Sequence, residues 1–546
     1  MITSRRFILG AGAALGLCVA LAYPARADSN ADKLFNDDKY DQAKTAYSAA
    51  IKASPKLAAP RIGLIRTLFR LDDWSSAITE ARAFVAATPQ SADAHAMLSL
   101  ALMRGGQPDE ALKEADAAQK LNASGFWSLL AQGRALSWNY KDSDARADFK
   151  KASEMQPEIE ESYLYWLHTY SEWEAADEHP IIDALRKLEE KKHPKKAPKD
   201  KEEADKRKAD ETKRKENDAK HQAYAESLVK DGIFLPSKPY SAEQIKDADE
   251  GKIPPISFSF PFERGVGEGG RDDIIIPMSV NGSRLKMLFD TGAGHAFTVS
   301  NFAAQRLNLP TLAKSLVGGV SGVEETQLHK ADTLKIGPET WRNIPVESLK
   351  NPIGDEDGLI GGGVFEKYVV TVDFKENTMT LTRGKEAVAP APMTGNRVID
   401  IPFRYVKGYI FVRISVDNQP IWTMVDTGAQ RWGGISLELA RRLAKGRDQT
   451  STIELHLRGR HGIGVSETSF TAMLFLFPVD IGCLVGDRTP YFVEMPDVIG
   501  EEGLDKISSE FDFNLAGLLG ISYFGERAHR VSIDYPHRVI SMELPE

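Results

Sequence analysis

Small and hydrophobic residues recur through residues 31–157 with a period of 34, as Ala43, Ala77, Ala111 and Ala145, then Tyr47, Ala81, Ala115 and Phe149, then Ala50, Phe84, Ala118 and Ala152. Small side chains at these spacings let two antiparallel helices approach closely, so each period predicts one helix pair. Pro55, Pro89 and Pro157 close three units, with Ala123 at the equivalent place in the remaining one. A proline there stops the second helix before the next unit begins. Tyr163, Trp166, Leu167 and Tyr170 continue the helical spacing and predict a capping helix over 158–176.

From residue 253 the pattern changes to short β-branched and aromatic runs separated by glycine and proline, which predicts an all-β region. Residues 274–280, Asn281-Gly282 and 285–290 read as strand, tight turn and strand, and 410–416, Asp417-Asn418 and 421–426 repeat that plan. Leu359-Ile360-Gly361 precedes a further strand-like run at 369–373, and Leu518-Leu519-Gly520 precedes one at 531–534. Residues 265–270 satisfy G-x-G-x-x-G, but a strand-like run follows where a dinucleotide site would need a helix N-terminus, so a hairpin loop is expected. Between the two textures, residues 186–220 are dominated by Lys, Arg, Asp and Glu with many opposite charges four apart, which predicts a solvated helix or a spacer.

At 546 residues the chain is long enough for several domains, and 42% apolar with 27% charged residues is an ordinary globular composition. A net charge of -9 argues against a protein devoted to nucleic acid, and the charged stretch carries no interleaved aromatic platform. Arg5-Arg6, an apolar Gly/Ala-rich run over 7–23 and Ala25-Arg26-Ala27 predict a signal peptide at 1–27, and Ser4-Arg5-Arg6-Phe7 resembles a twin-arginine signal. Export to the periplasm or beyond is expected, with no stable membrane span after signal removal; the best later apolar run, 473–485, contains Pro478 and Asp480. Cys483 is then the one remaining cysteine and reads as a buried, inert thiol.

Asp290-Thr291-Gly292-Ala293 and Asp426-Thr427-Gly428-Ala429 are the same four residues written twice, each at the end of a hydrophobic run. Two carboxylates brought together cannot both ionise cheaply and share a proton, so one can activate water while the other stabilises a carbonyl oxygen. Gly292 and Gly428 permit a tight turn beside each carboxylate. There is no His-Glu-x-x-His, no P-loop and no Gly-x-Ser-x-Gly elbow, so no metal or other cofactor is expected.

The 34-residue register resembles tetratricopeptide (TPR) repeats, and the paired motifs with their late glycines resemble the two lobes of retropepsin-like aspartic proteases. These resemblances imply a multidomain chain: TPR-like helical repeats at 28–178, a charged linker or helix at 179–252, a first aspartic-protease-like lobe at 253–385, an inter-lobe linker at 386–397 and a second lobe at 398–546. They imply Asp290 and Asp426 as catalytic residues of an aspartic endopeptidase acting on peptide or protein substrates, with Thr291, Gly292, Ala293, Thr427, Gly428 and Ala429 as support and the threonines bonding across to the opposite loop. A TPR groove implies a protein or peptide partner. A non-catalytic scaffold, and lobes that each pair with another chain, remain alternatives at this point.

Ala293 and Ala429 stand where pepsin-type enzymes usually carry a hydroxyl that donates to the carboxylate, and its absence is expected to raise the pair's pKa. The glycine-rich stretches 318–325 and 458–466 are the expected flaps. The late glycine lies 94 residues after the aspartate in the second half against 71 in the first, and the extra length is expected to include an acidic, proline-containing stretch over 480–510, an external loop or a substrate-side element. His295 and Gln430-Arg431-Trp432 follow the two motifs, where short polar residues are usual in the family.

Overall fold

A computed structural model describes residues 29–545 except 171–174, 195–197, 199–200, 233, 266–272, 295–296, 320–321, 351–355, 430–432, 446–451, 460–467, 477, 487, 490–492, 496–497, 502–503, 505–507, 509–510, 512–513 and 526. The chain opens as helix pairs: Ser29–Asn36 with Tyr40–Ala53, Ala58–Arg70 with Trp74–Ala87, Ala92–Arg104 with Pro108–Asn122, and Phe126–Trp138 with Asp142–Met155. Ala43, Ala77, Ala111 and Ala145 are completely buried between the paired helices, as their shared register predicts. Asp38, Asp72, Gly106 and Tyr140, one repeat apart, each take a left-handed backbone conformation just past the end of the first helix, with φ of 57°, 51°, 73° and 58°.

The capping helix is shorter than expected and runs over Glu160–Leu167. Just past its end the Arg146 guanidinium donates to the Thr169 carbonyl at 2.7 Å and lies 3.8 Å over the Tyr170 ring. A helix over Ala175–Lys192 follows, then the 31-residue helix Lys201–Asp231, which is largely solvent-exposed.

Among the described residues, the β-rich region holds three sheets. Six strands form the one that joins the lobes, in the order Asn396–Pro402, Val539–Pro545, Arg530–Asp534, Val369–Asp373, Thr378–Arg383 and Ile256–Pro261. Its two halves meet where Thr371 and Ser532 share a buried hydrogen bond of 2.9 Å. In the first lobe, Ser283–Asp290 lies antiparallel to Asp273–Val280 and parallel to Gly358–Gly361, with Asp290 opposite Gly361. In the second, Gln419–Asp426 lies in the same way between Tyr409–Val416 and Gly517–Gly520, with Asp426 opposite Gly520. Both hairpins turn through two left-handed residues, Asn281 and Gly282 in one and Asp417 and Asn418 in the other, the backbone that a two-residue turn between twisted strands requires. One hydrophobic core runs through both lobes and the sheet between them.

Two boundaries differ from the sequence reading. The first lobe reaches back before residue 253, because Leu235–Lys238 adds an antiparallel strand to Glu339–Leu349. The 480–510 stretch is not simply an external loop: Val479–Cys483 pairs with Tyr409–Val416 and with Val493–Met495, and Ile499–Glu501 pairs with Gly433–Ser436 and Thr468–Phe475. Its buried Ile481, Val493, Met495 and Val498 outweigh the acidic, proline-containing composition that suggested a loop.

Candidate active site

Each aspartate sits at the last residue of its strand, and the glycine two residues on folds the backbone back over the carboxylate. Asp290 Oδ1 accepts the Gly292 N–H at 2.8 Å, and Asp426 Oδ1 accepts the Gly428 N–H at 3.0 Å. Two threonines then tie the loops together. Thr291 Oγ1 accepts the Thr427 N–H at 3.0 Å and donates to the Val425 carbonyl at 2.7 Å; Thr427 Oγ1 accepts the Thr291 N–H at 3.0 Å and donates to the Phe289 carbonyl at 2.6 Å. Four buried backbone groups are satisfied by two hydroxyls, so the loops cannot separate without leaving them unpaired.

This lock brings the two carboxyls together within one chain. A Cβ on Gly428 would lie 2.6 Å from the Asp290 carboxyl carbon, and one on Gly292 would collide with the Asp426 carboxyl. Both glycines are therefore required by close approach, each to the opposite aspartate. Asp290 is 3% exposed and Asp426 half-buried. Burial pushes the Asp290 pKa well above the ordinary aspartate value, the charge of Asp426 and a hydrogen bond to it push it further, and the Gly292 and Gly428 N–H groups oppose the rise. The direction is the one expected from Ala293 and Ala429, but desolvation comes first among its causes. Ala293 packs instead against the small apolar cluster of Ile275, Leu288 and Leu359.

The first expected flap is a hairpin, Thr311–Gly319 with Gly322–Ile336, closed at Gly319 opposite Gly322. The helix Lys201–Asp231 holds it: Asn217 exchanges two hydrogen bonds with the Lys314 backbone at 2.8 and 3.1 Å, and His221 Nε2 lies 2.6 Å from the same carbonyl. The second, Thr452–Gly459 with Thr468–Phe475, pairs as far as Gly459 opposite Thr468. Most of its tip, together with His295 and Gln430-Arg431-Trp432, lies outside the described residues. Cys483 is buried, and burial pushes its thiol up to about 12. Among the described residues, no group of three His, Cys, Asp or Glu side chains could hold a metal ion, and no helix is long and apolar enough to cross a membrane.

Sequence reasoning missed two aromatic residues, one beside the site and one on the strand that carries Asp426. Tyr409 reaches across from the second lobe, its ring 3.0 Å from where a Cβ on Gly294 would sit. Trp422 lies four residues before Asp426 and on the same face of its strand, a spacing that was visible in the sequence.

Among solved structures, the chain is similar to a thermophilic TPR protein from Thermus thermophilus, with 22% identity over 30% of this chain and 89% of that one and a TM-score of 0.25. It is similar to MamA, with 20% identity over 31% and 96% and a TM-score of 0.21. It is also similar to YrrB, a TPR protein with an unusual peptide-binding site, with 18% identity over 30% and 83% and a TM-score of 0.19. No curated protein sequence matches the chain. The segment that carries Asp290 and the late Gly361, residues 276–364, matches the Aspartyl protease family.

Proposed function

We propose that this chain is an exported aspartic endopeptidase in which Asp290 and Asp426 share one proton. The observation that carries this reading is the approach of two carboxyls, each packed on the other's glycine and tied by hydrogen bonds between the loops. The ionised member takes a proton from a water, whose oxygen attacks the scissile carbonyl carbon. The protonated member gives its proton to the carbonyl oxygen, producing a tetrahedral diol. Return of a proton to the amide nitrogen breaks the C–N bond, and the remaining hydroxyl proton restores the shared state. The pair titrates as a unit, so neither aspartate is assigned a fixed acid or base role. The leader at 1–27 supports export, and the repeats are proposed to recruit the substrate or a partner.

The test is hydrolysis of a diverse peptide mixture by the mature protein, by Asp290→Asn and by Asp426→Asn. Each substitution should lower turnover by at least about 100-fold. Mixing the two variants should restore nothing, because both carboxyls come from one chain. The raised Asp290 pKa predicts a maximum above about pH 3. Wild type without turnover at any pH would leave the lobes as a binding module, and activity restored by mixing would mean that lobes pair between chains.

A further inference from the structure

We infer that the repeat domain braces the strand carrying Asp426, with Trp422 as the positioning residue through which it acts. The inference rests on the reading of Asp426 as a member of the reacting pair.

Side chains alternate along Gln419–Asp426, so Trp422, Met424 and Asp426 share one face. Met424 belongs to a small apolar cluster with Phe411, Phe511 and Leu515, against which Tyr409 and Trp422 pack. Beyond that cluster lies the helical region. The Trp422 ring meets Trp138 edge-on, with centroids 5.8 Å apart at 82°, and its Nε1 donates to the Gly106 carbonyl at 3.2 Å. Arg404 stacks 3.8 Å over the other partner of that pair, Trp138, and donates to the Ser137 carbonyl at 2.9 Å. The extra length of the second half joins the same contact: the Asn514 N–H donates to the Arg104 carbonyl at 2.6 Å, and the Ala516 N–H to the Trp422 carbonyl at 3.0 Å.

The periodicity of the repeats explains why these turns meet the lobe. Arg104 and Trp138 are one period apart, as are Gly106 and Tyr140, so successive repeats present equivalent turns to one surface. In the first two repeats the left-handed position is Asp38 and Asp72, residues that tolerate it well. In the two docked repeats it is Gly106 and Tyr140. Gly106 lets the Trp422 ring close in, since a Cβ there would sit 3.1 Å from Cδ1. Tyrosine is a costly residue for a positive φ, and here its hydroxyl accepts the Tyr405 N–H at 3.0 Å while Arg404 lies 4.6 Å over its ring. The backbone cost is offset by contacts that exist only when the repeats are seated on the second lobe.

The brace predicts that loosening the contact from the helical side changes the geometry of the Asp426 loop. The full mature protein is compared with Trp138→Ala, Trp422→Ala and Trp422→Phe in two measurements. In steady-state kinetics, the alanine variants should lose about 10-fold or more in kcat with KM within about twofold, the pattern of a lost transition-state interaction, and Trp422→Phe should recover most of it. In hydrogen exchange, which needs no turnover, the Thr427 and Gly428 amides should exchange at least about 10-fold faster in Trp138→Ala than in wild type. Unchanged exchange and unchanged kcat per folded molecule overturn the brace, even if the melting temperature falls. Wild type without turnover sinks the proposed activity, and the exchange measurement still decides the brace.

Discussion

The helical and β-rich regions bury carboxyl groups in opposite ways. Glu161 of the capping helix lies against Arg66 from the second repeat, with bonds of 2.7 and 2.9 Å. Burial alone would raise its pKa, but Arg66, and Arg70 beyond it, hold it at about 2. In the first lobe, burial raises Glu339 to about 7, opposed by the Tyr368 hydroxyl and more weakly by Arg383. Asp290 is raised by burial and by Asp426. A carboxylate matched by a guanidinium is fixed in its charge and serves structure. One buried beside neutral donors or another carboxyl can keep a proton, which is what acid–base chemistry needs. A raised pKa alone does not mark a site, because among the described residues the groups that act on Glu339 are Tyr368 and Arg383, with no second carboxylate facing it in the way Asp426 faces Asp290.

The sharpest way to break the contrast is to remove one member of the paired charge. Glu161→Ala removes the buried carboxylate from the half-buried Arg66 and should destabilise the helical region by about 3 kcal/mol, read by calorimetry. Because the folded pKa is depressed, the pair's stabilisation is present above the unfolded value of 4.5 and is lost as pH falls towards about 2. Wild-type helical melting should therefore drop across that window, while a double replacement of Arg66 and Glu161 by apolar residues should not follow it. A loss below about 1 kcal/mol in Glu161→Ala would place the pair among the weak surface type.

The lock between the lobes should behave differently, since neutral groups make it. Thr427→Val keeps the shape but leaves the Thr291 N–H and the Phe289 carbonyl unpartnered; Thr291→Val does the same to Thr427 N–H and the Val425 carbonyl. Each should cost about 2–4 kcal/mol in the β-rich region. The two costs should agree within about 1 kcal/mol and stay flat between pH 5 and about pH 8, where no group in the lock titrates. Costs that differ strongly between the two would mean that the lobes are less equivalent at the site than their hydrogen bonds make them.

How much of this was legible in the sequence follows from how local each feature is. The helix pairs could be read because Ala43, Ala77, Ala111 and Ala145 repeat a packing requirement at fixed spacing, and the hairpins because Asn281-Gly282 and Asp417-Asn418 suit left-handed turns. The threonine lock followed from the family resemblance, as nothing in either tetrapeptide names its partner across 136 residues. The contact of Trp422 with Gly106 spans 316 residues and left no local pattern. The strand at Leu235–Lys238 has four residues, too few to show alternation, and the short strands within 480–510 were masked by charge and proline around them.

Glu339→Gln tests the contrast at its smallest effect and isolates burial from the second carboxylate. The raised folded pKa means that Glu339 favours the folded state below its unfolded value of 4.5, and that this contribution is lost as pH rises through about 7. Wild type should lose on the order of 2 kcal/mol of first-lobe stability between pH 5 and pH 8 from this group, and the glutamine variant should lose little. Tyr368 Oη, 3.3 Å from the Glu339 carboxyl, can still donate to the amide oxygen, so the fold should tolerate the change. Turnover should remain within about twofold of wild type, whereas Asp290→Asn removes an equally buried titrating group and should abolish it. If folded Glu339→Gln lost turnover as Asp290→Asn does, the facing carboxylate would no longer be what separates the reacting pair from an ordinary buried acid.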